Sequence, residues 1–125
     1  MQTNKFLIVA KNGYWSGKFS DKLTQKGYEV SLLIPDINII SNNNFEHNND
    51  IRKTIVIIPV YRHEEAKFQL IKTIAKKGFK VIALSINEYP ETSVKSYLHG
   101  AWKCIEKSSD ISSLIKAVNY LEESS

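Results

Sequence analysis

Cysteine is almost missing from this chain. Cys104 is the single one, so no disulfide can form within it, and a lone thiol is what a reducing cytosol permits. Proline is scarce at three residues, and each falls where an element is expected to stop or start: Pro35, Pro59 and Pro90. Glycine is limited to five residues, of which Gly27, Gly78 and Gly100 each follow a helical pattern as a stop signal. No apolar run nears the ~20 residues of a membrane span, since a run such as 55–59 is only strand-length. The apolar stretch between Lys5 and Lys11 is too short for the core of a signal peptide. Nor do the lysines gather into the basic blocks that mark nucleic-acid arms; they are spread along the chain.

What is present is the makeup of one folded domain. A chain of 125 residues buries about 70% of its unfolded surface and folds alone. The apolar share of 42% and charged share of 24% are ordinary for a globular chain. A net charge of +4 and a pI of about 9.1 mildly favour an anionic partner. The expected location is the cytoplasm, with no membrane contact.

Apolar periodicity places the elements. Residues 5–10 form a continuous apolar run that suits a strand covered on both faces. Over 14–26, Trp15, Phe19 and Leu23 recur at helical spacing, and Gly27 stops the pattern. Residues 29–34 read as a second strand ended by Pro35. From 36 to 50 the signal fails: Ile37, Ile39 and Ile40 allow one helical turn, but the asparagine-rich remainder has loop composition, so the second helix is expected to be degenerate or missing. Residues 54–59 are the most β-branched run and the expected centre of the sheet. Pairing is expected to stop at Pro59, which has no N–H for a ladder.

The second half repeats the alternation. Residues 64–77 put Ala66, Leu70, Ile71, Ile74 and Ala75 on one helical face, with acids first and lysines last as the helix dipole favours. A strand follows over 80–85, a short helix over 90–98, and a short strand over 102–106. Ser109 or Asp110 is expected to cap a last helix whose Ile111, Leu114, Ile115, Val118 and Leu121 face inward. Strands alternating with helical slots indicate an α/β fold with a doubly wound parallel sheet. Such sheets place their sites at the carboxyl ends of the strands.

Three stretches carry a family resemblance: Val81-Ile82-Ala83-Leu84-Ser85, the segment from His99-Gly100-Ala101 to Lys107, and Asp110 with Leu114 and Ile115. With Phe68-Gln69-Leu70-Ile71-Lys72-Thr73-Ile74, the chain resembles the receiver domain of bacterial two-component response regulators over nearly its whole length. The resemblance implies a five-stranded flavodoxin-like, CheY-like sheet of order 2-1-3-4-5. In that family an aspartate ending the third strand accepts a phosphoryl group, an acidic pair after the first strand holds Mg²⁺, and a Ser or Thr and a Lys contact the phosphate. Ser85 and Lys107 fall at the family spacing. Ala10 and Lys11 stand where the acidic pair belongs, and Pro59 where the acceptor belongs. The proline after the lysine is replaced by Ser108, and the aromatic switch residue by Cys104. The chain is therefore similar to a pseudo-receiver, with no catalytic residue, metal or cofactor expected.

The resemblance implies work by protein contact, in particular homodimerisation, and control of transcription through a DNA-binding segment beyond Ser125, with 122–125 as the start of a linker. A different class of function also fits: an anion or nucleotide held at the strand ends by Lys11, Ser85 and Lys107. Against it, Lys11 has the plainer options of pointing into solvent or pairing with Glu106. Arg62 and His63 stand near the same rim. The segment Gly13-Tyr14-Trp15-Ser16-Gly17-Lys18-Phe19 fails as a phosphate loop, because its glycines are one residue too close and no hydroxyl follows the lysine. His47 and His99 lack partners at metal-ligand spacing. Cys104, within a strand, is expected to be an inert thiol. Tyr97 and Tyr120 are expected on outer helix faces, on the side where receivers pair.

Overall fold

The computed structural model describes residues 4–11, 14–61, 64–85, 90–106 and 111–123 and, within these, all side chains but those of 14–16, 106, 111, 118 and 121–123. Along the chain lie β1 (Lys5–Val9), α1 (Tyr14–Gln25), β2 (Glu29–Leu33), α2 (Ile37–Ile40), α3 (Asn44–Asn48) and β3 (Thr54–Val60). Then come α4 (Glu65–Lys76), β4 (Lys80–Ser85), α5 (Pro90–Leu98), β5 (Lys103–Glu106) and α6 (Ile111–Glu123). The five strands form one parallel sheet of order β2-β1-β3-β4-β5. This is the flavodoxin-like arrangement, with β3 at its centre and buried at every position.

Strand side chains alternate between faces, and that alternation builds two cores from one sheet. Leu7, Val9, Val56, Ile58 and Val60 pack with Ile40, Phe45, Phe68, Ile71 and Ile74 of α2, α3 and α4. Phe6, Ile8, Ile55, Ile57, Ile82 and Leu84 pack on the other face with Phe19 and Leu23 of α1 and Leu114 of α6. Phe19 and Leu23 therefore lie inward as their spacing predicted, and Leu114 with them. The side chains of Trp15, Ile111, Val118 and Leu121, and the cap at Ser109 or Asp110, lie outside the described residues.

Pairing does not stop at Pro59. β3 continues to Val60, with Pro59 level with Leu84 and Val60 level with Ser85. The Pro59 carbonyl accepts a hydrogen bond from Lys67 Nζ at 3.2 Å. A strand residue's N–H and C=O point to the same side, so the missing N–H faces away from the β4 ladder, which loses no bond.

The second helical slot is degenerate, as the asparagine-rich stretch indicated, but it is not all loop: residues 44–48 form α3. Side chains do the local work there. Asp36 accepts from the Asn38 N–H at 2.9 Å to cap α2, and Asn42 accepts from the Asn44 N–H at 2.9 Å to start α3. Asn49 Nδ2 donates to the Phe45 carbonyl at 2.8 Å, and the Phe45 ring sits edge-on to Phe79. Short polar side chains that bond their own backbone favour turns and caps over a long helix. Burial of Phe45 supplies what propensity does not. Lys77 of the α4 end ties the segment down by donating to the Asn42 carbonyl at 3.2 Å and pairing with Glu46.

α5 meets α4 through a close approach at Gly100. Its φ of +106° suits glycine, and a Cβ there would lie 2.9 Å from the Ala75 Cβ. Among the described residues, no helix is long and apolar enough to cross a membrane.

Candidate functional site at the carboxyl edge of the sheet

The parallel register brings together the residues singled out by sequence. β1 pairs with β3 up to Ile8 opposite Ile57, so two residues further on Ala10 comes level with Pro59. Lys11 follows, exposed to solvent. On the other side of β3, Ser85 ends β4 opposite Val60 and faces Glu106 in β5. Cys104 lies further back in β5, level with Ala83 and half-buried, and its N–H donates to the Tyr97 hydroxyl at 3.0 Å. Lys107, Ser108, Arg62 and His63 lie outside the described residues, as does the Glu106 side chain. The pairing of Lys107 with Ser85, and of Lys11 with Glu106, therefore stays at the level of sequence.

Ser85 is fully buried, and its hydroxyl finds no hydrogen-bond partner among the described residues. A buried unpartnered hydroxyl costs about 1–3 kcal/mol.

Three residues that sequence reasoning passed over close the edge beside Pro59. The Tyr61 N–H donates to Glu64 Oε1 at 3.0 Å. The other carboxylate oxygen of Glu64 lies 3.6 Å from Lys67 Nζ, the ammonium that donates to the Pro59 carbonyl. The Glu64 carboxylate is thus turned toward its own loop. The spacing of Glu64 and Lys67 is a legible helical ion-pair signal; the reach of Lys67 back to Pro59 is not. The next residue, Glu65, accepts from Lys95 of α5 at 2.5 Å. That hydrogen bond, reinforced by the lysine's charge, holds the Glu65 carboxyl below the ordinary glutamate range.

Among the described residues, this edge does not fit a divalent cation. Mg²⁺ takes oxygen ligands, chiefly carboxylates, whereas the positions beside Pro59 offer a methyl group at Ala10 and an ammonium at Lys11. No group of three His, Cys, Asp or Glu side chains placed to hold a metal occurs among the described residues. The His99 ring instead rests against Phe68, with Nδ1 2.7 Å from the Lys95 carbonyl.

No protein-family model matches the chain, and no curated protein matches it. Solved structures do. A Francisella response-regulator receiver domain superposes with a TM-score of 0.75 at 18% identity, covering 97% of this chain and 98% of its own. The fold is that of a receiver domain. The beryllofluoride-activated NtrC4 receiver, solved as a dimer, gives a TM-score of 0.75 at 17% identity, with 98% and 100% of the two chains covered. An atypical orphan response regulator, described as revealing a phosphorylation-independent regulatory mechanism, gives 0.67 at 17% identity, with 93% and 92% covered. At such identities the receiver likeness is one of fold.

Proposed function

We propose that this chain is a regulatory receiver-type domain of a bacterial response regulator that signals by protein contact and not by aspartyl phosphate. One observation carries the reading: Pro59 stands next to last in the central strand, where a receiver carries its acceptor carboxylate, and Ala10 stands level with it. Formation of an aspartyl phosphate needs a carboxylate oxygen to attack phosphorus and a cation to neutralise the phosphoryl oxygens. The described residues at this point supply a pyrrolidine ring, a methyl group and ammonium groups. The domain accordingly carries no catalytic residue and no cofactor. Incubation with acetyl phosphate and Mg²⁺, followed by intact mass measurement, is expected to leave the mass unchanged. A Mg²⁺-dependent phosphoryl adduct overturns the proposal.

The contact is assigned to a second copy of the chain. α5 is inverted relative to an ordinary surface helix, burying Thr92 and Ser96 while Val94, Tyr97 and Leu98 stand 59%, 45% and 78% exposed. These three recur at i, i+3 and i+4, so they form one stripe. Tyr120 of α6 is 69% exposed. A helix that hides hydroxyls and shows aliphatic side chains is built for a partner. Light scattering is expected to give a dimer, and Val94→Asp with Leu98→Asp a monomer of unchanged fold. A wild-type monomer at every concentration removes this part of the reading. Output through a DNA-binding domain beyond this chain, and a cytoplasmic setting, complete the proposal.

A second reading has one observation behind it, the partnerless Ser85 hydroxyl at the same edge as Lys11. A small anion or nucleotide bound by Lys11, Ser85 and Lys107 would give that hydroxyl an acceptor. Thermal shift against phosphate, nucleotides and cyclic dinucleotides separates the readings, since only an anion sensor is stabilised.

A further inference from the structure

The opposite edge of the sheet carries a feature that the linear sequence disperses. Because all five strands run parallel, their first residues share one rim. Lys5 opens β1 and Lys80 opens β4, while Lys53 immediately precedes β3 and Lys26 lies in the turn before β2. In spatial order these are Lys26, Lys5, Lys53 and Lys80, one cation per neighbouring strand. At about 4.8 Å per strand their backbones span roughly 15 Å; the half-buried Lys5 side chain turns to the face of Leu7 and Phe45, and that of Lys80 to the face of Trp102.

The row is fixed by the backbone. The N–H groups of Asn4 and Lys5 donate to the Lys53 carbonyl at 3.0 and 3.1 Å, and the Glu29 N–H donates to the Asn4 carbonyl at 2.9 Å. The Lys80 ammonium rests 4.9 Å from the centre of the Trp102 ring. Arg52, beside Lys53, and Lys76, ending α4, add charge, and except for the half-buried Lys5 these side chains are all exposed. Lys77 is excluded, since it is paired with Glu46. Among the described side chains the opposing carboxylates along this stretch are Glu29 and Asp50. α6 also ends at this edge with Glu122 and Glu123, so the row is confined to β2, β1, β3 and β4. Helix dipoles favour a lysine at the end of α4. They give no reason for lysines at the starts of strands.

We propose that this rim binds the phosphate backbone of a nucleic acid. A row of cations a few ångströms apart matches a linear polyanion, and its affinity comes from release of the counterions condensed on that polymer. An anionic membrane is met best by a broad disc of charge with apolar anchors, whereas this is a narrow line interrupted by two carboxylates. The inference goes beyond the contact function and uses none of the residues assigned to it.

Fluorescence anisotropy of the whole chain with a labelled single strand and a labelled duplex, each of about 20 units, tests it between about 50 and 200 mM salt. The expected result is binding whose log–log salt slope is about −3, as for some four neutralised phosphates. Lys53→Gln with Lys80→Gln is expected to weaken binding severalfold and make the slope shallower by at least about 1. The charge-matched control Lys18→Gln with Lys72→Gln is expected to leave both unchanged. A wild-type slope shallower than about −1, equal losses in the two double variants, or binding to anionic vesicles but to neither oligonucleotide overturns the proposal. The wild-type slope stands as a test even if a variant fails to fold.

Discussion

The two ends of the same strands differ in kind. At the carboxyl edge β1 and β3 run out in Val9 and Val60, β4 ends in a buried serine, and the nearby carboxylates of Glu64 and Glu65 are engaged by Lys67 and Lys95. At the amino edge β1 and β4 open with lysines and β3 opens just after one, and among the described residues there Lys77 is tied to the carboxylate of Glu46. In a receiver the carboxyl edge is where chemistry would occur. Here Tyr61, Glu64, Lys67 and Pro59 bond one another, while Lys26, Lys53 and Lys80 stand exposed at the other end. A fold can keep its site-bearing edge as scaffold and present a new charge pattern elsewhere, because strand ends lie on the surface and tolerate charge that strand centres do not.

The comparison breaks most sharply at Gly100, near the amino edge. Gly100→Ala forces a side chain into a left-handed backbone and against Ala75, with an expected loss of about 1–3 kcal/mol, read by urea unfolding. Unchanged stability would mean that α5 has room to move away from α4.

At the carboxyl edge, Lys67→Met removes the donor to the Pro59 carbonyl and the partner of Glu64. A loss of about 1–2 kcal/mol is expected, with faster hydrogen exchange at the Tyr61 amide and no change at Lys5 or Glu29. Equal acceleration at both edges would show that they are not independent.

The smallest effect is pH dependence. Hydrogen bonds from Lys77 and Lys95 lower the pKa of Glu46 and Glu65 from an ordinary value of 4.5. A carboxyl depressed in the folded state stabilises above its unfolded pKa, and that contribution is lost as pH falls through the folded value. Both carboxyls are solvent-exposed, so the change in stability is slight. The expected sign is loosening of residues 42–46 and of the α4–α5 contact only below about pH 4.5, followed by amide exchange; loosening near neutrality would contradict it.

Much of the fold was legible from period alone. The runs of β1, β3 and β4 and the stripes of α1 and α4 report burial directly, since an apolar residue every second or every third to fourth position has one face to hide. The boundary at Pro59 was misjudged because the orientation of its missing N–H depends on the partner strand. Residues 44–48 were misjudged because an asparagine that signals a loop also forms the turn leading into a short helix, and only the burial of Phe45 decides between these. Of the candidate site, Ala10, Pro59 and Ser85 were legible from spacing. Glu64, Tyr61 and Lys67 were not, since a side chain that reaches back to a strand end leaves no periodic mark.

By itself the sequence determined the order of strands and helices, the two-faced burial of β1, β3 and β4, and the lack of a carboxylate at Ala10, Lys11 and Pro59, because these are properties of residue type and spacing. Only the tertiary structure decided that lysines scattered from Lys5 to Lys80 stand side by side, and that Lys67 bonds to Pro59. Parallel pairing aligns residues by their place within a strand and not by their distance along the chain.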